Sequence, residues 1–100
     1  MRLHEIKRAT ANHYGIPIAD ITGPCRKRAF TGPRQVAMFI ATQHSGQSLG
    51  QIAGAFGGRD HTTVAHARDV VKSRMDADLL DDIDAITTAA FGFVFRSCRG

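Results

Sequence analysis

The stretch Ser48-Leu49-Gly50-Gln51-Ile52-Ala53-Gly54-Ala55-Phe56-Gly57-Gly58-Arg59-Asp60-His61-Thr62-Thr63-Val64-Ala65-His66-Ala67 carries the chain's most informative spacings. Ser48 and Gln51 stand three residues apart, the spacing of a capping box at a helix start. Leu49, Ile52, Ala53 and Phe56 then recur at helical period and predict a buried stripe. Gly57-Gly58 predicts a tight turn, and Asp60 can cap a second helix running to about Met75. That second helix is expected to bury Val64, Val71 and either Ala67 or Ala65. A short helix, a glycine turn and a longer helix form a helix-turn-helix, which places the N-terminal end of its second helix in the DNA major groove.

The residues at that end have chemistry suited to base edges. A carboxylate such as Asp60 accepts from cytosine N4, and the methyl groups of Thr62 and Thr63 pack on the thymine methyl. The His61 imidazole donates to a purine acceptor or to a phosphate. Arg59 precedes them, and first-turn N–H groups can hold a phosphate. A purely structural role is equally open for Asp60 as a cap, and first-turn threonines are common without any function. His61 and His66 are five residues apart. On a helix this separates them by about 140°, a poor geometry for sharing a metal. A small metal-dependent nuclease built on Asp60, His61 and His66 is disfavoured by this spacing and by the lack of a carboxylate cluster beside them.

The remaining segments also read as helices joined by short loops, with no strand-like alternation and no internal repeat. The first helix is predicted from about Arg2 to Tyr14, with Leu3, Ile6, Ala9 and Tyr14 near one face, Gly15 as its C′ residue and Pro17 blocking continuation. A short helix follows around Ile18 to Ile21, ended by Thr22-Gly23-Pro24. Cys25 to Gly32 reads as a basic loop, with Pro33 at the first position of a helix that runs to about His44. That helix has Val36, Ala37, Phe39, Ile40 and Ala41 as its apolar face. A last helix is predicted from about Ala77 to Phe93, on the face of Leu79, Leu80, Ile83, Ile86 and Ala90. Its first turns hold Asp76, Asp78, Asp81, Asp82 and Asp84, where the helix dipole favours negative charge.

One hundred residues fit one domain with a modest core. The net charge is +4 and the pI 9.7, unevenly distributed. Residues 1–74 hold 11 Lys/Arg against 4 Asp/Glu, whereas residues 75–95 hold 5 Asp and no Lys or Arg. A basic body with an acidic flank fits a polyanion partner on one face, with a solvated basic surface as the plain alternative. Cys25 and Cys98 are isolated, so neither a zinc site nor a disulfide framework is expected. No secretory signal or apolar run of membrane-spanning length is present, and the expected location is the cytoplasm.

The quoted stretch closely resembles the signature of the C-terminal DNA-binding domain of DnaA, the bacterial chromosomal replication initiator. A second block matches upstream: Arg26-Lys27-Arg28, then Gly32-Pro33-Arg34-Gln35-Val36-Ala37-Met38. The resemblance covers about residues 3–87 and implies an all-α, compact bundle of about five to six helices containing a helix-turn-helix, of the TrpR/DnaA C-terminal type. By position it implies that Arg26 enters the minor groove, while Asp60, His61, Thr62 and Thr63 face bases of an A/T-rich DnaA box. Arg34, Gln35, Ser48, Leu49 and His66 are then placed near phosphate, with Lys27 and Arg28 adding charge near the same backbone or, as loop residues, equally solvated, and Arg59 just before the base-facing set. Backbone contacts would set register while groove contacts discriminate sequence.

Three positions depart from the family: Thr42 and Cys25 where a basic residue is frequent, and Gly50 where proline is common. The domain is expected over 1–90, with 91–100 a divergent tail. Phe93, Val94 and Phe95 are expected to pack back on the core, or else to offer a patch to a protein partner. No G-x-x-x-x-G-K-[ST] element occurs in the sequence. The expectation is a stand-alone, non-enzymatic domain that binds double-stranded DnaA-box-like DNA in the bacterial cytoplasm and nucleoid, linked to replication initiation or its regulation. It needs no cofactor, no metal and no membrane. The alternatives are a transcription regulator, or an adaptor that binds protein through the acidic last helix and the Phe-rich tail.

Overall fold

The amphipathic pattern of residues 3–14 and the glycine that follows produce the first element, α1 (Leu3–Tyr14). Gly15 takes φ +67°, and the Ile16 N–H donates to the Ala11 carbonyl at 3.0 Å, closing the helix in a left-handed cap. The remaining helices are α2 (Ile18–Thr22), α3 (Arg28–His44), α4 (Leu49–Ala55), α5 (His61–Ser73) and α6 (Ala77–Arg99). The computed structural model describes residues 2–22, 28–58 and 60–99, with the side chains of 28–31 and 91–99 outside that description. Among the described residues all regular structure is helical, as expected.

The core is arranged around α3, which packs against α1, α2, α4, α5 and α6. Val36 to Ala41 are six consecutive buried residues, so this segment is enclosed on every side, the signature of a central helix. Around it close Ile6, Ile21, Ile52, Phe56, Val64 and Ile86, each fully buried. Thr10 is buried too, and its hydroxyl donates to the Ile6 carbonyl at 2.7 Å, which satisfies the one polar atom it brings inside. On α5 the inward alanine is Ala67, in line with Val64 and Val71, while Ala65 stays at the margin.

Three expectations about the helices need correction. α3 begins at Arg28, so residues 28–32 are helical and not loop, and Pro33 lies inside the helix. The φ that proline enforces is itself helical, but at this sixth position its missing N–H forfeits the bond to the carbonyl of residue 29, which its ring also crowds. α6 continues to Arg99, past the expected end at Phe93, and its backbone is helical across 90 and 91. Gly92 is the lone breaker in that stretch, and one interior glycine costs only about 1 kcal/mol relative to alanine. The expected packing of Phe93, Val94 and Phe95 lies outside the described side chains. Leu80 is 48% exposed, not part of the buried face. Leu79, Ile83, Ile86 and Ala90 follow spacings of four, three and four, and Leu80 falls about 100° away from that line.

α6 is seated on α1. Asp76 caps its start, its Oδ1 accepting the Leu79 N–H at 2.8 Å. Asp82 meets His13 Nε2 at 2.9 Å, so one of the five acidic residues ties the two helices together. No helix among the described residues is long and apolar enough to cross a membrane.

Candidate nucleic-acid interface

The start of α4 is closed in both directions. The Ser48 hydroxyl accepts the Gln51 N–H at 3.2 Å, and the Gln51 side-chain oxygen accepts the Ser48 N–H at 2.9 Å. The far end is closed from a distance: Lys7 Nζ on α1 donates to the Ala55 carbonyl at 2.9 Å. The same ammonium stands 5.7 Å from the centre of the fully buried Phe56 ring. Partial burial pushes the Lys7 pKa down.

The turn follows on two glycines with positive φ, +89° at Gly57 and +72° at Gly58. At Gly57 the requirement is double, because a Cβ there would lie 2.5 Å from the Thr22 carbonyl oxygen at the end of α2. The Gly58 N–H donates to the Gly54 carbonyl at 3.3 Å. Asp60 then caps α5: its Oδ1 accepts the Thr62 N–H at 3.3 Å, and its own carbonyl accepts the Thr63 N–H at 3.0 Å. The same Oδ1 lies 3.0 Å from His61 Nδ1, with both side chains well exposed.

The inner face of α5 is anchored by Val64, Ala67 and Val71, so its other face is forced outward. Asp60, His61, Thr62, Thr63 and His66 are all exposed on that outward side. The structure thus brings together five of the candidate residues at one helix start and its adjoining face. Ser48 is exposed at the start of α4, whereas Leu49 is half-buried and packs against the core. Gln35 is half-buried and lines a cavity of about 160 Å³ with Tyr14, Val36, Val70 and Arg74. Arg26, Lys27 and Arg59 lie outside the described residues, as does the side chain of Arg28 at the head of α3.

Arg34 is placed differently from what a phosphate ligand needs. Its side chain is only 7% exposed. Nε donates to the Ile21 carbonyl at 3.2 Å and a terminal nitrogen to the Asp20 carbonyl at 2.9 Å. These are orphan carbonyls at the C-terminal end of α2, where a cation is favoured. Lys7 does the same for α4 and was missed from sequence, since nothing local links residues 48 positions apart. Thr42, one of the departing positions, turns its hydroxyl onto the Phe39 carbonyl of its own helix at 2.6 Å. Among the described residues no group of three or more His, Cys, Asp or Glu is placed to hold a metal ion.

Comparison with known proteins agrees with this arrangement. A family model for the bacterial dnaA protein helix-turn-helix matches residues 3–71. The chromosomal replication initiator protein DnaA of Cereibacter sphaeroides is 43% identical over 86 residues, covering 84% of this chain and 19% of that protein. The DnaA of Lactococcus lactis is 41% identical over 88 residues, covering 86% of this chain and 19% of its own length. That of Caulobacter vibrioides is 45% identical over 87 residues, with 85% and 18% covered. The chain therefore spans about a fifth of the length of the curated relatives it matches. With the family model covering well over half of its residues, and with α4, the Gly57-Gly58 turn and α5 folded as a helix-turn-helix, the chain belongs to the bacterial dnaA helix-turn-helix family.

Proposed function

We propose that the chain binds double-stranded DNA at DnaA-box-like sites and acts in replication initiation or its regulation, without an ATPase activity of its own. The observation that carries this reading is the start of α5. Three buried residues hold its inner face, and His61, Thr62, Thr63 and His66 stand exposed beside an exposed Asp60. A rigidly seated helix end bearing short polar and methyl groups suits base edges in the major groove. Asp60, His61, Thr62 and Thr63 read bases, and Arg26 reads the adjacent minor groove. Lys27, Arg28, Gln35, Ser48, Leu49, Arg59 and His66 serve the phosphate backbone. The Lys/Arg excess over residues 1–74 supplies the sequence-independent part of the affinity.

The test is a binding titration with a DnaA-box duplex and a scrambled duplex of equal length. The box is expected to bind more tightly, with both affinities falling steeply as salt rises. Thr62→Ala and Arg26→Ala are each expected to lower box affinity by about 1–3 kcal/mol while leaving the scrambled duplex less affected. Equal affinity of the unaltered protein for both duplexes overturns the reading.

A further inference from the structure

The two short helices of the fold end in the same way. α2 has five residues and α4 has seven. Helices this short are not stable alone, and their last carbonyls have no partner within the helix. In each case a longer helix supplies a cation to those carbonyls: Arg34 of α3 reaches Asp20 and Ile21 of α2, and Lys7 of α1 reaches Ala55 of α4. The two ends meet, because Gly57, two residues beyond Ala55, lies against the carbonyl of Thr22, the last residue of α2. The turn that aims α5 is therefore held at a joint between two cation-capped helix ends.

We propose that Lys7 and Arg34 are positioning residues for duplex recognition. They hold the C-terminal carbonyls of α4 and α2, and so set where the Gly57 turn places the start of α5, without neutralising phosphate themselves. This rests on the proposed reading of α5 as the element that meets DNA. Arg34 is buried, with Nε and one terminal nitrogen directed at carbonyls, and Lys7 is pulled inward over Phe56. Two basic residues of the first 74 thus belong to the frame, not to the polyanion-facing charge. Lysine and arginine are not equivalent at the Arg34 position, because two carbonyls are met by one planar fork.

The experiment compares Lys7→Met, Lys7→Gln, Arg34→Met and Arg34→Lys with the unaltered chain, using the DnaA-box and scrambled duplexes between about 50 and 200 mM salt. Backbone amide exchange of the free protein is followed alongside. Lys7→Met and Arg34→Met are expected to lose roughly 10-fold in box affinity, with scrambled affinity held within about 2-fold and the salt slope unchanged. Lys7→Gln, which keeps a donor for the Ala55 carbonyl, restores most of the loss; Arg34→Lys restores little. In the free Lys7→Met protein the Phe56 and Gly58 amides, bonded to Ile52 and Gly54 carbonyls, exchange faster. A parallel fall on both duplexes with the salt slope reduced by about 0.9 per substitution marks direct phosphate contacts and overturns the proposal. Discrimination by the unaltered chain that survives both Met variants overturns the proposal alone, whereas no discrimination by the unaltered chain removes the reading beneath it. Unchanged exchange at Phe56 and Gly58 removes Lys7 from the frame irrespective of DNA.

Discussion

Gly57 sits so close to the Thr22 carbonyl that a methyl group on it would have its carbon 2.5 Å from the oxygen, whereas its neighbour Gly58 faces open space. Both have positive φ. Alanine at either position incurs left-handed strain of roughly 1–2 kcal/mol. At Gly57 the backbone of α2 must also give way, and a total loss on the order of 3–4 kcal/mol is expected. Gly58→Asn should cost less than Gly58→Ala, since asparagine tolerates this conformation. Urea midpoints for the three variants check this, and equal losses for Gly57→Ala and Gly58→Ala would show that the contact with Thr22 relaxes freely.

Tyr14 gives the fold a pH limit on the alkaline side. Burial, and then the Asp82 carboxylate, push its pKa above the ordinary 10.0. The unfolded chain ionises first, so the stability linked to neutral Tyr14 is fully present below pH 10.0 and is lost as pH rises through the folded value. Lys7 acts in the opposite sense, because its folded pKa is depressed from 10.5 and stability rises with pH across that window. Tyr14→Phe separates the two by removing the falling limb. The chain has one Tyr and no Trp, so near-ultraviolet phenolate absorbance reports this group directly. Asp82→Asn is expected to move that titration downward. A titration at or below 10.0 in the unaltered protein contradicts the prediction.

Ile86 and Leu80 divide the apolar residues of α6 into load on the core and surface cover. Ile86 is fully buried and Leu80 is 48% exposed. Ile86→Ala is expected to destabilise by about 2–5 kcal/mol, and Leu80→Ala by at most about 0.5 kcal/mol. Thermal or urea unfolding decides between them, and comparable losses would place Leu80 in the core.

Much of the fold is local in origin and so legible in the sequence. Ser48 with Gln51, Asp60 with Thr62, and the periodic Ile52, Phe56 and Val64 each act within a few residues, and the helix-turn-helix follows from them. Ala67 against Ala65 needed the direction of α5 relative to α3, which spacing alone leaves open. Leu80 misleads because an apolar residue beside a stripe looks like part of it. Pro33 misleads because proline most often marks the first turn of a helix, whereas here the helix begins five residues earlier and carries it in its second turn. Arg34 and Lys7 were beyond reach for a different reason. A basic residue reads as surface charge until the fold shows which backbone carbonyl lies opposite it. The exposed set at the start of α5 was legible as residue types, but their exposure depends on Val64, Ala67 and Val71 all facing inward.

Asp60 combines two roles that a suitable pair of substitutions can separate. Its carboxylate caps α5 through Thr62, and its exposure leaves it available to a cytosine amino group. Asp60→Ala removes both, with a stability loss of about 1 kcal/mol expected from the cap. Asp60→Ser keeps a capping oxygen, so its stability should remain within about 0.5 kcal/mol of the original. If the carboxylate meets a base, Asp60→Ser still loses on the order of 10-fold on the box duplex. The scrambled duplex should bind as well or better, because a negative charge near phosphate has gone. Paired unfolding and binding measurements on the two variants distinguish the roles. Unchanged box affinity in Asp60→Ser would reduce Asp60 to a cap and leave base reading to His61, Thr62 and Thr63.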